Sequence, residues 1–462
     1  MAGASVHVVL DVSRLLLSVR RPVPSGIDRV EMAYAQRFLE APAAASTFVV
    51  QSPWGWFGVV PRHRIAMFIE ALTLCWRSGL KAAHEAIARA FRLAARMQAG
   101  LALGMGRGAL DRVLERERRC AFLLVSHRAL DRDRPIARLR AAGAAFVPLL
   151  HDLIPLSHPE YARPAQVGRH ARRLATTAAL ADGIVVNSAA TAGVLAAYLP
   201  PGGPEIAVAP LGIGNGSAGI GTAFAGGRAA PDPSRGDPYF VCLGTIEPRK
   251  NHLLLLHLWR DLAEAGGRPP RLLLVGRRGW ENENVLDLLD RCPALRGLVE
   301  EHGPLPDAAV APLLAGARAL LFPSFAEGYG LPLAEALAAG VPAVCSNLPA
   351  LREIGGEVPE YLDPLDGRAW RAAVLDYAAP DSPRRAAQLQ RMDAWQAPDW
   401  TGHFAQVDAL LERAVAARSA IRPGLRGAAS GAGPAARPAL AAGALPSRAA
   451  ASVLAAAGPT SA

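Results

Sequence analysis

The sequence predicts an α/β protein built from two doubly wound domains. Three observations predict it. Short, near-continuous apolar runs alternate with helix-period segments, as in parallel strands covered on both faces. The pattern runs once through the first half and restarts at Tyr239. Between the halves lies a stretch rich in Gly, Ala, Ser and Pro. At 462 residues the chain exceeds one ordinary core, and 51% hydrophobic with 19% charged residues leaves ample apolar surface to bury.

In order along the first half, strands are expected at 6–10, 47–51, 122–126, 145–150, 183–187 and 206–209. In the second half they are expected at 239–243, 271–275, 298–301, 319–322, 343–346 and 360–362. Helical periodicity marks 252–265, 307–315 and 331–339. The chain therefore divides into a first Rossmann-like domain 1–212, a linker 213–238, a second Rossmann-like domain 239–420 and a tail 421–462. That tail is almost all Ala, Gly, Pro, Ser and Arg, without acid or aromatic, and is expected to be disordered.

Residues 62–119 break the βα rhythm and are expected to form a mostly helical insertion. Within it, Leu80, Ile87 and Phe91 share an apolar side, while Lys81, Arg89, Arg92 and Arg96 recur at helical spacing. The basic segment 77–96 reads either as a solvated outer face or as a surface for an anionic membrane.

The net charge of +10 favours an anionic partner, but almost every basic residue is arginine and only Lys81 and Lys250 are lysines. Positive charge is spread along the chain without aromatic interleaving, which argues against nucleic acid. No apolar run reaches the ~18–20 residues of a spanning helix, and no signal peptide is expected. Five scattered cysteines without a C-x-x-C pair argue against a disulfide framework or zinc site and fit the cytoplasm.

The densest chemistry lies in the run from Leu321 to Pro342. A buried strand leads to a loop bearing Glu327, then to the glycine-bracketed turn Gly328–Tyr329–Gly330. A helix opens at Leu331 and carries Glu335 about one turn in. Helix N-termini beyond the carboxyl ends of strands favour phosphate through free N–H groups and the macrodipole.

A second element, Gly244-Thr245-Ile246-Glu247-Pro248-Arg249-Lys250-Asn251, sets two adjacent cations after a strand, which suits a diphosphate. A third, Gly276-Arg277-Arg278-Gly279-Trp280, supplies glycines and a stacking surface. In the first half, Gly26, Asp28 and Arg29 open a helix, and His151-Asp152 end a strand. His151 reads as a cleft residue or as a capping or core histidine. Asp28 and Arg29 read as a local ion pair or as lining for an acceptor. Asp131-Arg132-Asp133 has the spacing of a metal-binding pair, but Arg128, Arg132 and Arg134 would repel a divalent cation, so no metal is expected.

Together these stretches resemble glycosyltransferase family 4, the retaining GT-B enzymes, and within it bacterial mannosyltransferases of surface-polysaccharide assembly. The resemblance is dense from Tyr239 to about Asp366 and thinner at 25–31 and 151–161. It implies two facing Rossmann-like domains and no cofactor beyond a nucleotide-sugar donor substrate, GDP-mannose by preference. Glu335 would hold the ribose, Glu327 the donor sugar, and Arg249 and Lys250 the leaving diphosphate. Gly328, Tyr329, Gly330 and Leu331 would present backbone amides, with Gly244, Thr245, Gly276 and Gly26 around the donor. His151 would reach in from the acceptor domain, where Asp28, Arg29 and Asp152 would meet the acceptor. Many family members carry Arg at the position of Thr245, which leaves Arg249 to supply that charge.

The implied acceptor is a glycan or a polyprenyl-diphosphate-linked glycan. The implied location is cytoplasmic, peripheral to the inner face of the plasma membrane. Alternatives are a UDP-hexose donor, a GT-B sugar-nucleotide epimerase, or a catalytically silent nucleotide-sugar-binding scaffold.

Overall fold

A computed structural model describes residues 5–21, 23–82, 84–213, 238–266 and 268–425, with side chains described to 77 and from 84 to 420 across the helical segments. The expected linker 213–238, apart from its end residues, and nearly all of the tail lie outside the described residues.

The first sheet has seven strands: β1 (His7–Asp11), β2 (Ser46–Gln51), β3 (Phe57–Val59), β4 (Cys120–Leu124), β5 (Ala145–Leu150), β6 (Gly183–Val186) and β7 (Glu205–Val208). Their order is β3-β2-β1-β4-β5-β6-β7, parallel except for β3, which pairs antiparallel with β2. The second sheet holds β8 (Tyr239–Leu243), β9 (Arg271–Val275), β10 (Val299–Gly303), β11 (Leu320–Phe322), β12 (Ala343–Ser346) and β13 (Glu360–Leu362). Its order, β10-β9-β8-β11-β12-β13, is all parallel. Both sheets are doubly wound, and the central strands are buried along their length, which explains why they read as unbroken apolar runs. The expected fold class is therefore the observed one.

The 62–119 insertion is helical: Arg62–Ala82, His84–Ala102 and Arg107–Arg116. Its inward face differs from the expected stripe. Ala90, Ala94, Met97 and Leu101 are buried, while Phe91 is 42% exposed. These buried positions recur at helical spacing, and Phe91, one residue on from Ala90, falls about 100° round the helix from it. The side chains of Leu80 and Lys81 lie outside the described residues.

One boundary shifts. The helix Trp400–Leu425, expected within the second domain, packs on the first. His403 bridges the Tyr34 hydroxyl (2.7 Å) and the Ala209 carbonyl (3.0 Å), Arg37 pairs with Asp408, and Leu410 covers Gly183. Apolar positions at 404, 407, 410, 411 and 414 recur at helical spacing and fill the core under β6 and β7. The chain crosses between domains a second time beside the first, since Ile213 N–H donates to the Pro398 carbonyl at 2.8 Å.

Candidate active site

Both sheets point their carboxyl ends into one cleft of about 710 Å³. The predicted site residues all line it except Asp28.

On the second domain, β8 ends at Leu243 and the chain turns through Gly244 (φ +140°). A neighbouring constraint makes Gly276 necessary: a Cβ there would sit 1.8 Å from the Gly244 carbonyl oxygen. The turn places Arg249 and Lys250 against the loop after β11. Lys250 Nζ donates to Glu327 Oε1 at 2.6 Å, and Arg249 Nη1 lies 2.9 Å from Glu327 Oε2. Arg249 Nε also reaches Glu247 at 2.6 Å.

Burial alone would push the Glu327 carboxyl up, but Arg249 and Lys250 outweigh it and hold it at about 2. Burial lowers the Lys250 ammonium, opposed by Glu327. The result is a fixed charge cluster at the N-terminus of the helix Leu331–Ala338, where Gly330 (φ +113°) opens the first turn. Free amides and two cations there suit an anion.

Glu335 projects from that helix into the cleft. Burial pushes its carboxyl up to about 7; Arg29 draws it down and Asp307 pushes it further up. Arg29 pairs bidentately with Asp307, joining the helix Gly26–Glu40 of the first domain to the helix Asp307–Ala315 of the second.

The glycine loop is held from the first domain. Ser188 Oγ (2.7 Å) and Thr191 Oγ1 (3.1 Å) donate to the Gly328 carbonyl, and the Tyr329 hydroxyl donates to the Leu211 carbonyl at 2.6 Å. Glu353 accepts the amides of Ala189 and Ala190 at 2.7 and 2.6 Å, capping a first-domain helix from the second domain.

His151 stands directly opposite Gly328. Its Nε2 is 2.8 Å from the Val125 carbonyl and donates to it. Burial pushes the imidazole down to about 4 against that bond, so the ring is neutral and Nδ1 carries a lone pair. Asp152 accepts from Ile154 N–H at 3.1 Å while lining the cleft.

Asp28 is the correction. It is fully buried, where it forms a capping box with Ser25 and pairs with Arg14 (2.7 Å) and Arg21 (3.0 Å). Its carboxylate is engaged by the helix start and two guanidiniums, the ion-pair reading of the two, and it does not line the cleft.

The cleft also contains residues that sequence reading did not single out: Arg14, Arg21, His127, Arg169, His170 and Arg173. Gln166, Arg169, His170 and Arg173 fall on one helical stripe following the His151-Asp152 segment, a signal that was available in the sequence. Asp307 was read only as a helix start, and its tie to Arg29 is tertiary. Among the described residues no group of three His, Cys, Asp or Glu side chains is arranged to hold a metal ion.

Residues 228–357 match the family model for glycosyl transferases group 1. The O-antigen chain mannosyltransferase B of Escherichia coli is 41% identical over 150 residues, 32% of this chain and 39% of that protein. The serotype-specific mannosyltransferase WbdA of Escherichia coli is 30% identical over 239 residues, 49% of this chain and 29% of that protein. The matched stretches thus span well under half of either relative. The crystal structure of Anabaena HepE in complex with UDP superposes with a TM-score of 0.55 at 13% identity, covering 91% of this chain and all of that one.

The chain therefore has the two-domain GT-B fold, resembles bacterial mannosyltransferases over part of its length, and matches the family model for glycosyl transferases group 1 in the segment that carries Arg249, Lys250, Glu327 and Glu335.

Proposed function

We propose that the protein is a retaining glycosyltransferase that moves a hexose, mannose from GDP-mannose, onto a glycan or lipid-linked glycan in polysaccharide biosynthesis. The observation that carries the reading is the Arg249–Lys250–Glu327 cluster at a helix N-terminus, facing His151 across the cleft. Breaking the anomeric C–O bond places negative charge on the leaving diphosphate. Preorganised cations and amides stabilise it, each well-placed donor by roughly 2.7–4 kcal/mol in comparable sites. Neutral His151 offers Nδ1 to a hydroxyl of the donor sugar, and Glu335 offers a carboxylate to the ribose.

Mannose is supported by the named mannosyltransferase relatives. A UDP-hexose donor is the second reading, because HepE was solved with UDP. No metal or other cofactor enters the proposed chemistry. Work at the inner face of a membrane follows from a lipid-linked acceptor; among the described residues no helix is long and apolar enough to cross one.

A thermal-shift panel of GDP, UDP and ADP with their sugars tests the reading, since a ligand that binds the native state raises the melting temperature. GDP and GDP-mannose are expected to give the largest shift. No shift with any sugar nucleotide would sink the donor site.

A further inference from the structure

The turn that carries Arg249 is braced on two sides by loops of its own domain. On one side Phe325 N–H donates to the Arg249 carbonyl at 2.7 Å, and Arg249 Nη1 donates to the Ala326 carbonyl at 2.9 Å. On the other, Gly279 N–H and Asn282 Nδ2 donate to the Ile246 carbonyl at 2.9 and 2.8 Å. Each bracing loop carries an aromatic residue, Phe325 or Trp280, that reaches the first domain.

Both aromatics meet the segment 158–163. The Tyr161 and Phe325 rings are parallel to within 5° with centroids 5.5 Å apart, and His158 continues the column at 6.1 Å and 15°. At that separation parallel rings are offset, the favoured arrangement of stacked aromatics. The Trp280 indole N–H donates to the Tyr161 carbonyl at 3.4 Å, and the Arg163 guanidinium lies 5.7 Å from the Trp280 ring centroid.

The first-domain segment that reaches across is stiff. Pro155 and Pro159 each fix a backbone angle. Hydrogen-bonded turns run along it, from the amides of Leu156, His158, Tyr161 and Ala162 to the carbonyls of Leu153, Ile154, His158 and Pro159. At its start stand His151 and Asp152, packed against Gly328. One strut thus touches the second domain on both sides of Glu327: at Gly328 just after it and at Phe325 just before.

We propose that the Tyr161–Phe325 stack is a clasp that sets the position of Arg249 and Glu327, which makes these two rings positioning residues for the step in which the leaving group takes up charge. The assignment rests on the transferase reading for the step it serves. Both rings are uncharged and act through the Arg249 turn and the Glu327 loop. A displacement of about 1 Å in such groups can cost about 10²-fold in rate.

The test uses the full chain as wild type, Y161A, F325A, Y161A/F325A and Y161F. Release of GDP from GDP-mannose, or of UDP from UDP-glucose, is followed with water as the acceptor, and hydrogen exchange is measured on the ligand-free proteins. Y161A and F325A are each expected to lower kcat at least about tenfold, with donor KM within about threefold of wild type. The double variant should fall no further than the worse single one, because the two rings make one contact. Y161F keeps the ring and should stay within about twofold of wild type. Y161A lies in the first domain, yet exchange should quicken at least about tenfold in the second-domain stretches 276–282 and 324–328, while the strands of both sheets keep their protection.

Unchanged kcat in both alanine variants, effects that multiply in the double variant, or a rise in KM in place of the loss in kcat would overturn the clasp. So would a Y161F as impaired as Y161A, or exchange that does not quicken across the domain boundary. If wild type releases nucleotide from neither donor, the transferase reading fails, and the exchange result alone decides whether the stack holds the Arg249 and Glu327 loops.

Discussion

Lys250 donates to Glu327 at 2.6 Å, and both side chains are only 7% exposed. In a chain that otherwise uses arginine almost without exception, this buried position keeps a lysine. The adjacent Phe322 ring explains part of the choice: Nζ lies 4.3 Å from its centroid, and a compact ammonium fits between ring and carboxylate where a planar guanidinium does not.

Lys250→Ala should therefore lower kcat by about 10²–10³, the size of one lost charge-stabilising donor. The folded spectrum should persist, because Arg249 still neutralises Glu327. Measuring kcat and the far-ultraviolet circular dichroism together checks this, and unchanged turnover removes the role given to Lys250.

Glu335 sets a pH dependence. Burial raises its carboxyl to about 7, above the ordinary 4.5. The unfolded chain thus releases this proton first as pH rises, and stability is lost between about pH 4.5 and 7. Glu335→Gln should melt higher than wild type at pH 8 and match it near pH 4.5. If the ionised carboxylate grips the ribose, donor affinity in wild type should strengthen as pH rises through about 7 and stay flat in the glutamine variant. Parallel pH profiles for the two proteins would refute the assignment.

Gly328 has no room for a side chain. A Cβ would approach the His151 carbonyl oxygen to 2.4 Å and Asp152 Cβ to 2.7 Å, and these neighbours belong to the opposite domain. Gly328→Ala should lower kcat more than tenfold by holding the domains apart, while each domain keeps its core. A wild-type kcat in that variant would show that the two faces need not close to this distance.

Turnover should survive EDTA, because the leaving diphosphate is met by Arg249, Lys250 and helix amides. Activity abolished by the chelator and restored by Mn²⁺ would contradict this. Asp131 and Asp133 would then be the first candidates for its ligands.

Much of this was legible before any coordinates. Strands buried on both faces announce themselves as unbroken apolar runs, and the cluster around Glu327 lies within short, ordered segments that follow strand ends. What escaped depended on longer-range packing. β3 is a three-residue antiparallel edge strand, too short for its periodicity to register. The Ser25–Asp28 capping box is visible in the sequence, yet only the fold shows Arg14 and Arg21 closing over the carboxylate. The apolar stripe of the helix beginning at Trp400 marks a buried face without saying which sheet it covers, so its return to the first domain could not be read off.

That return has a consequence for how the protein is made. Residues 403–415 pack on the first domain, where His403 meets Tyr34 and the Ala209 carbonyl and Leu410 covers Gly183. On the ribosome the first domain emerges early, but it must wait through the synthesis of the entire second domain with its flank under β6 and β7 uncovered. Biogenesis is therefore circular: the domain that starts first finishes last, and a chain truncated before Trp400 should leave the first domain with that flank exposed even though the second sheet is intact.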